Sequence, residues 1–391
     1  MLTSIAIILL LGLLVGLIFS KLRLPSLLGM IIVGIVLSPN ALNLIDESIL
    51  LISGDLRQIA LVIILTRAGL SLDISDLKKV GRPAILMCFV PACVEILGTI
   101  ILAPILLKVS VLEAAIIGSV IAAVSPAVVV PRMIRIMDEG YGKNKGIPQL
   151  ILAGASVDDV FVIVVFTALT GLAATGKMSV TSFIQIPISI LLGIILGGSI
   201  GILLVLFFKK YHMRDSVKIL IMLSISFLFL EVQNRLEGII AISGLLAIMS
   251  MGIMIKQKYE VLALRLSVKY NKLWLGAEIF LFVLVGATVD LKYVMSAGMF
   301  AVFLIIAALV FRMIGVALSL AGTDLSKKER LFCMVAYTPK ATVQAAIGAI
   351  PLSMGLNCGN IVLTVAVLSI LITAPFGAVC IDNLYKRLLE K

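Results

Sequence analysis

The sequence predicts an all-α polytopic membrane protein of about 13 transmembrane helices, arranged as inverted repeats with two crossing discontinuous helices. Three observations carry this reading. Hydrophobic residues make up 61% of the 391-residue chain and charged residues 14%, with a mean hydropathy of +1.23, which excludes a soluble globular protein. Lys and Arg gather in alternate loops between apolar stretches. A G-x-x-x-D signature ends one span in each half of the chain, and each half has a proline in the middle of a span.

Apolar stretches of membrane-spanning length fall at about 2–20, 26–45, 56–72, 83–107, 111–131, 147–174, 183–208, 217–232, 238–255, 273–290, 298–321, 330–352 and 359–383. The first, Leu2 to Phe19, lacks a basic leader region and a small-residue cleavage signature, so it is expected to be a retained helix. Of the 32 Lys and Arg residues, 24 follow odd-numbered spans, Lys21, Arg23, Lys78 and Lys79 among them. Five follow even-numbered spans: Arg57, Lys108, Lys177, Arg235 and Lys292. The positive-inside rule then places the amino terminus outside and the carboxyl terminus in the cytoplasm of a multi-pass plasma-membrane protein, the cytoplasmic membrane in a prokaryote. The formal charge of +11 is scattered through short loops without interleaved aromatics, which reports orientation and argues against a nucleic-acid partner. Cys88, Cys93, Cys333, Cys358 and Cys380 show no CxxC spacing, and His212 is the single histidine. Neither a disulfide framework nor a zinc site is indicated, and no cofactor is expected.

The repeat is visible in the spacing. Gly69 to Asp73 ends the third span and Gly286 to Asp290 the tenth, an offset of 217 residues, and the seven-span separation inverts the copies. At that offset Glu95 corresponds to Arg312, and Ser125-Pro126 corresponds to Thr338-Pro339 with a slip of four. Proline removes a backbone donor and disturbs the carbonyl four residues back, so Pro126 and Pro339 should unwind their helices in mid-membrane. Paired interruptions in inverted halves point to a midplane binding site.

Asp158 and Asp159 lie side by side within the sixth span. Each carboxylate at the bilayer centre costs roughly 2.5–3.5 kcal/mol on insertion scales, which a purely structural helix would avoid. Adjacent acids crowd their charges, which raises proton affinity and leaves oxygens suited to a small hard cation. Such a site suits exchange of a cation for protons. Arg312 cannot deprotonate and needs a permanent anionic partner, with Glu95 and Asp158 as the candidates. Lys340, beside Pro339, is expected to neutralise carbonyl dipoles exposed by the break. Arg67 lies near the end of its span, where snorkelling is expected. Gly193, Gly197 and Gly201, like Gly12 and Gly16, form G-x-x-x-G steps that predict close helix packing, with a dimer interface as one place for it. Met249, Met251 and Met254 read as core filler.

These features together resemble the cation/proton antiporter superfamily, specifically its NHA branch of sodium/proton antiporters. The residues that carry the resemblance are VSPAVVVP at 124–131, GYGKNKGIP at 140–148, ASVDDV at 155–160, Arg312, and TPKATVQAAIG at 338–348. The resemblance implies a homodimer, with a mobile core at about 83–174 and 298–383 and a dimerisation bundle at about 1–72 and 183–290. It implies that Asp159 is the ion-binding acid and Asp158 its charge-paired partner, with Val124 and Ser125 on the broken helix supplying oxygens. Glu95, Arg312, Lys340 and Thr338 are then the charge-compensating group. Many relatives with a double aspartate carry a lysine where this chain has Arg312, and an arginine there resembles members in which it pairs with the glutamate at Glu95.

The expected activity is therefore sodium or lithium exchange against protons by alternating access, electroneutral because Arg312 cannot supply a second proton. Monovalent cations, protons, the bilayer and a second copy of the chain are the expected partners. A potassium/proton antiporter of the same fold is the nearest alternative, since selectivity rests on cavity size and backbone oxygens, with a cation channel further off. An enzyme is not expected, because an intramembrane aspartyl protease needs its acids on separate helices.

Overall fold

Proline and glycine decide where these apolar segments stop being helix. The computed structural model describes residues 1–22, 24–72, 81–175, 180–236, 242–289 and 291–391. Arg23, Lys78, Lys79 and Lys177 from the loop count, and Asp73 and Asp290 from the repeated signature, lie outside the described residues.

The described residues form helices and no strand, in the order α1 (Leu2–Lys21), α2 (Ser26–Leu37), α3 (Glu47–Leu51), α4 (Ser53–Ser71), α5 (Arg82–Met87), α6 (Val90–Leu107), α7 (Val111–Ile121), α8 (Pro126–Asp138), α9 (Ile147–Thr175), α10 (Val180–Lys210), α11 (Asp215–Leu236), α12 (Gly244–Lys258), α13 (Glu260–Ala287), α14 (Leu291–Ser319), α15 (Lys327–Ala336), α16 (Thr342–Ile347), α17 (Ile350–Ser353) and α18 (Gly359–Leu388). Eight segments among the described residues are long and apolar enough to cross a membrane, including α1, α9 and α18.

The expected interruptions are present. Helix α7 stops at Ile121 and α8 starts with Pro126, while α15 stops at Ala336 and α16 starts at Thr342. One break was not expected: the span 83–107 divides at Cys88-Phe89. Pro91 is the physical reason, because it has no N–H to give the Met87 carbonyl four residues back. The Tyr337 hydroxyl lies 3.5 Å from that carbonyl and donates to it. The span expected at 26–45 is helical only over Ser26–Leu37, where Ser38 and Pro39 turn the chain. The span expected at 273–290 belongs to a helix that begins earlier, at Glu260.

The packing falls into two units. Unit 1 comprises Met1–Gly54, Ser75–Val162 and Ile279–Lys391. In it α6 lies along α14, and α18 packs against α7, α8, α14, α15 and α16. Gly98 of α6 meets the Phe311 ring, and Gly315 of α14 meets the backbone at Val90-Pro91. These two glycines are also 217 residues apart, so the α6–α14 contact is close at two repeat-related points, with Glu95 and Arg312 between them. At one end of the unit Arg135 pairs with Asp382 at 2.7 Å, and Lys145 of the 140–148 loop reaches Glu329 at 2.9 Å.

Unit 2 comprises Asp55–Ile74 and Ile163–Glu278. Gly193, Gly197 and Gly201 of α10 lie on the backbone at Ser243, Ala247 and Met251, one helical turn apart on α12. The G-x-x-x-G steps thus produce the close packing expected, between α10 and α12 of one chain: a side chain at Gly197 would overlap the Ala247 carbonyl. Met249 and Met251 are buried, as core filler should be. Arg67 is half-buried, and the carboxylate of Glu278 on α13 lies close enough to act on its charge.

Candidate functional site

The site lies in unit 1, where the α7–α8 and α15–α16 interruptions meet. Each break leaves backbone groups that no helix satisfies, and these groups supply most of the contacts. The Ser125 N–H donates to the Pro339 carbonyl at 2.7 Å, joining the two breaks directly. The Lys340 N–H donates to Thr373 Oγ1 of α18 at 2.9 Å. Pro339 fits beside α18 because Gly377 has no side chain to meet its ring.

Arg312 is the hub, fully buried on α14. Its guanidinium spreads four hydrogen bonds over two acids and two carbonyls. Nε donates to the Tyr337 carbonyl at 2.6 Å. One terminal nitrogen donates to Glu95 Oε2 at 2.9 Å and to the Ala122 carbonyl. The other donates to Asp158 Oδ2 at 2.7 Å. The planar five-donor fork makes this possible where an ammonium would not. The two candidate partners read from the sequence therefore both hold Arg312, and the guanidinium also stacks 5.4 Å from the Tyr337 ring centroid.

Lys340 differs from expectation. Its Nζ sits 2.7 Å from Glu95 Oε1 and the carbonyls of the breaks are served by Arg312 instead, because a compact ammonium next to a buried carboxylate gains more from the full charge than from dipoles. Val124 also takes a different part, donating its N–H to Asp158 Oδ2 at 2.8 Å. Ser125 Oγ is buried and makes no hydrogen bond. Thr338 turns its hydroxyl back to the Val335 carbonyl at 2.8 Å, which ends α15 and leaves it out of the charge cluster.

Asp159 stands apart from this network. Asp158, one residue earlier on α9, is fixed by Arg312 and Val124. Among the described residues Asp159 has no ion-pair partner, and its Oδ1 is buried without a hydrogen bond. Three acids, Glu95, Asp158 and Asp159, face two bases, Arg312 and Lys340, leaving one formal negative charge in the cluster.

Three contributors escaped the sequence reading: Tyr337, Gln344 and Thr373. Tyr337 offers its carbonyl to Arg312, and its hydroxyl lies over Gly154, where any side chain would collide with it. Gln344 donates Nε2 to the Ala123 carbonyl at 2.9 Å. The available signal was a lone amide within the apolar run 341–350.

Residues 5–384 match the family described as sodium/hydrogen exchanger, transmembrane. Human sodium/hydrogen exchanger 9B2 is 33% identical over 388 residues, covering 94% of this chain and 70% of that protein. Human sodium/hydrogen exchanger 9B1 is 31% identical over 392 residues, covering 94% and 73%. Among solved structures, the sodium proton antiporter MjNhaP1 from Methanocaldococcus jannaschii at pH 8 superposes with a TM-score of 0.86 at 22% identity, over 99% of this chain and 98% of that one. The likeness to MjNhaP1 is one of fold.

Proposed function

We propose, from the premise that this chain belongs to the sodium/hydrogen exchanger family, that it exchanges sodium or lithium for protons by alternating access, with the two ions competing for Asp159 and with Asp158 as its supporting acid. Sodium/proton antiport is supported by the family and by the antiporter fold. The observation that carries the finer reading is that, among the described residues, Asp159 has no ion-pair partner while Glu95, Asp158, Arg312 and Lys340 beside it are all ion-paired.

The charge count supplies the coupling. One sodium ion or one proton at Asp159 neutralises the cluster equally well. The empty site would have to move with an uncompensated buried charge, which costs several kcal/mol in a low-dielectric interior. Only the loaded forms cross readily, so one ion is exchanged for the other. Arg312 keeps its charge throughout, and Lys340 is held by Glu95. Asp159 alone then titrates, and exchange is electroneutral at one proton per cation.

This reading extends to a homodimer in the plasma membrane, or the cytoplasmic membrane of a prokaryote, with the amino terminus outside and the carboxyl terminus inside. Segments at about 83–174 and 298–383 form its moving core, and those at about 1–72 and 183–290 its dimerisation bundle. It rests on loop charge and on the family resemblance.

The test is sodium-driven proton movement in sealed proteoliposomes with the membrane potential clamped. A net charge crossing 100 mV gains about 2.3 kcal/mol, equivalent to as much as ~50-fold in rate. Electroneutral exchange should change less than about twofold over that range. A steep voltage response, or wild-type exchange in a folded Asp159→Asn protein, would overturn the reading.

A further inference from the structure

Gln344 occupies a place that the exchange mechanism above leaves unused. It is fully buried on α16, one turn beyond Lys340, and its Nε2 donates to the Ala123 carbonyl at 2.9 Å. That carbonyl belongs to the four-residue stretch 122–125 between α7 and α8, flanked by the Ala122 carbonyl that Arg312 caps and the Val124 N–H that holds Asp158. A carbonyl only accepts, so the amide must present its NH2 to Ala123 and turn Oε1 elsewhere. Oε1 is buried and has no hydrogen-bond donor. Three other buried oxygens, on this stretch and on α9 which pairs with it through Asp158, are in the same condition: Ser125 Oγ, Asp158 Oδ1 and Asp159 Oδ1.

Buried acceptors without donors are rare in native proteins, and four on the segments that meet at one crossover call for a common explanation. Two belong to carboxylates, which bind either a proton or a cation. An amide oxygen does not protonate in the physiological range, yet it is a good ligand for a hard monovalent cation. Such an oxygen favours the cation-loaded form and does nothing for the proton-loaded one.

We propose that Gln344 is a specificity-determining residue: its Nε2 holds the Ala123 carbonyl in the crossover, and its Oε1 is a neutral oxygen ligand for the cation that binds at Asp159. The inference rests on the assignment of Asp159 as the exchanging acid. It adds that affinity for the cation is set separately from affinity for the proton, and that discrimination among lithium, sodium and potassium depends on this oxygen.

The experiment uses the full chain in proteoliposomes, measuring Vmax and apparent KM for Li+, Na+ and K+ across pH. Gln344→Met keeps the side-chain length and removes the amide. The Na+ KM at the alkaline limit should rise about tenfold, the Li+ to Na+ preference should change by ~3-fold or more, and the proton dissociation constant extracted from the pH dependence of KM should stay within about twofold. A purely structural role would lower Vmax for all cations by the same factor and leave KM alone, and that result overturns the proposal. So does a wild-type profile. Gln344→Glu retains an oxygen at this position, and decides the matter should Gln344→Met fail to fold: a Na+ KM at alkaline pH about threefold or more below wild type supports the ligand role, and an unchanged or higher KM overturns it. Asp159→Asn is measured alongside. If it is inactive while the Gln344 variants behave as wild type, only this inference fails; if it exchanges normally, the underlying site assignment fails.

Discussion

In the amino-terminal half of unit 1 the charges at the site are all acids, Glu95, Asp158 and Asp159, whereas in the carboxyl-terminal half they are both bases, Arg312 and Lys340. The halves share helix order, proline interruptions and a pair of close-packing glycines, yet carry opposite sign. Each would bury like charges if it stood alone. Together they neutralise one another at the crossover, where Glu95 and Arg312, 217 positions apart, meet at 2.9 Å. The match is incomplete. On α18, positions 371–376, which correspond to the α9 acids at an offset of 213 to 217, hold Leu371, Ile372, Thr373, Ala374, Pro375 and Phe376. Neither α9 acid has a charged counterpart there; Asp158 is paired with Arg312 at 2.7 Å, and Asp159 has no ion-pair partner among the described residues. The repeat-related pair of Glu95 and Arg312 is neutral, and the charges outside the symmetry, Asp158, Asp159 and Lys340, leave one formal negative charge in the cluster, on which the proposed exchange rests.

The largest effect should come from removing that charge at Asp159. Asp159→Asn should reduce sodium-driven proton movement by at least about 100-fold while the protein remains folded and inserted, checked by thermal unfolding in detergent. Full exchange in that variant would break the comparison. Next comes the base that joins the halves. Arg312→Leu strands Asp158 and leaves Glu95 to Lys340 alone, and should cost about 3–5 kcal/mol of stability. Arg312→Lys should fall between it and wild type, since an ammonium cannot reach four acceptors in one plane. A loss below ~1 kcal/mol for Arg312→Leu would mean that the halves are not held by their charges.

A double-mutant cycle sharpens the comparison further. Glu95→Gln and Arg312→Gln should be non-additive in thermal stability by about 1–3 kcal/mol. Recovery in the double variant should be partial, because it leaves Asp158 without Arg312 and Lys340 without Glu95. Strict additivity would show that each half is stabilised independently. The smallest effect belongs to a charge pair away from the crossover. Asp382→Asn removes the partner of Arg132 and Arg135 at 3.4 and 2.7 Å, a half-exposed contact that should cost only about 0.2–1 kcal/mol by the same unfolding measurement.

The principal charges are legible in the sequence because the membrane makes them expensive. An acid pair, an arginine and a lysine inside apolar spans are costly, so their positions alone mark the site, and Pro126 and Pro339 mark the breaks because the missing N–H is a property of the residue itself. The 217-residue offset is equally legible and already pairs Glu95 with Arg312, although the same offset between Gly98 and Gly315 gains meaning only beside the α6–α14 contact. Gln344 and Tyr337 stay hidden for a different reason. A single amide or phenol in an apolar run is cheap, and nothing in its neighbours says where its polar atoms go.

Composition, periodicity and spacing thus determined the membrane class, the inverted repeat, the two interruptions and the charged residues, since each follows from the solvation cost of a residue where it stands in the chain. Tertiary structure decided the partners. Arg312 takes both Glu95 and Asp158, Lys340 takes Glu95 and leaves the carbonyls to Arg312, Val124 gives its N–H where an oxygen had been expected, and Asp159 has no ion-pair partner among the described residues. Hydrogen bonds and ion pairs act over about 3 Å, so they depend on which residues of two halves some 200 positions apart come together, and that is set by how the helices pack.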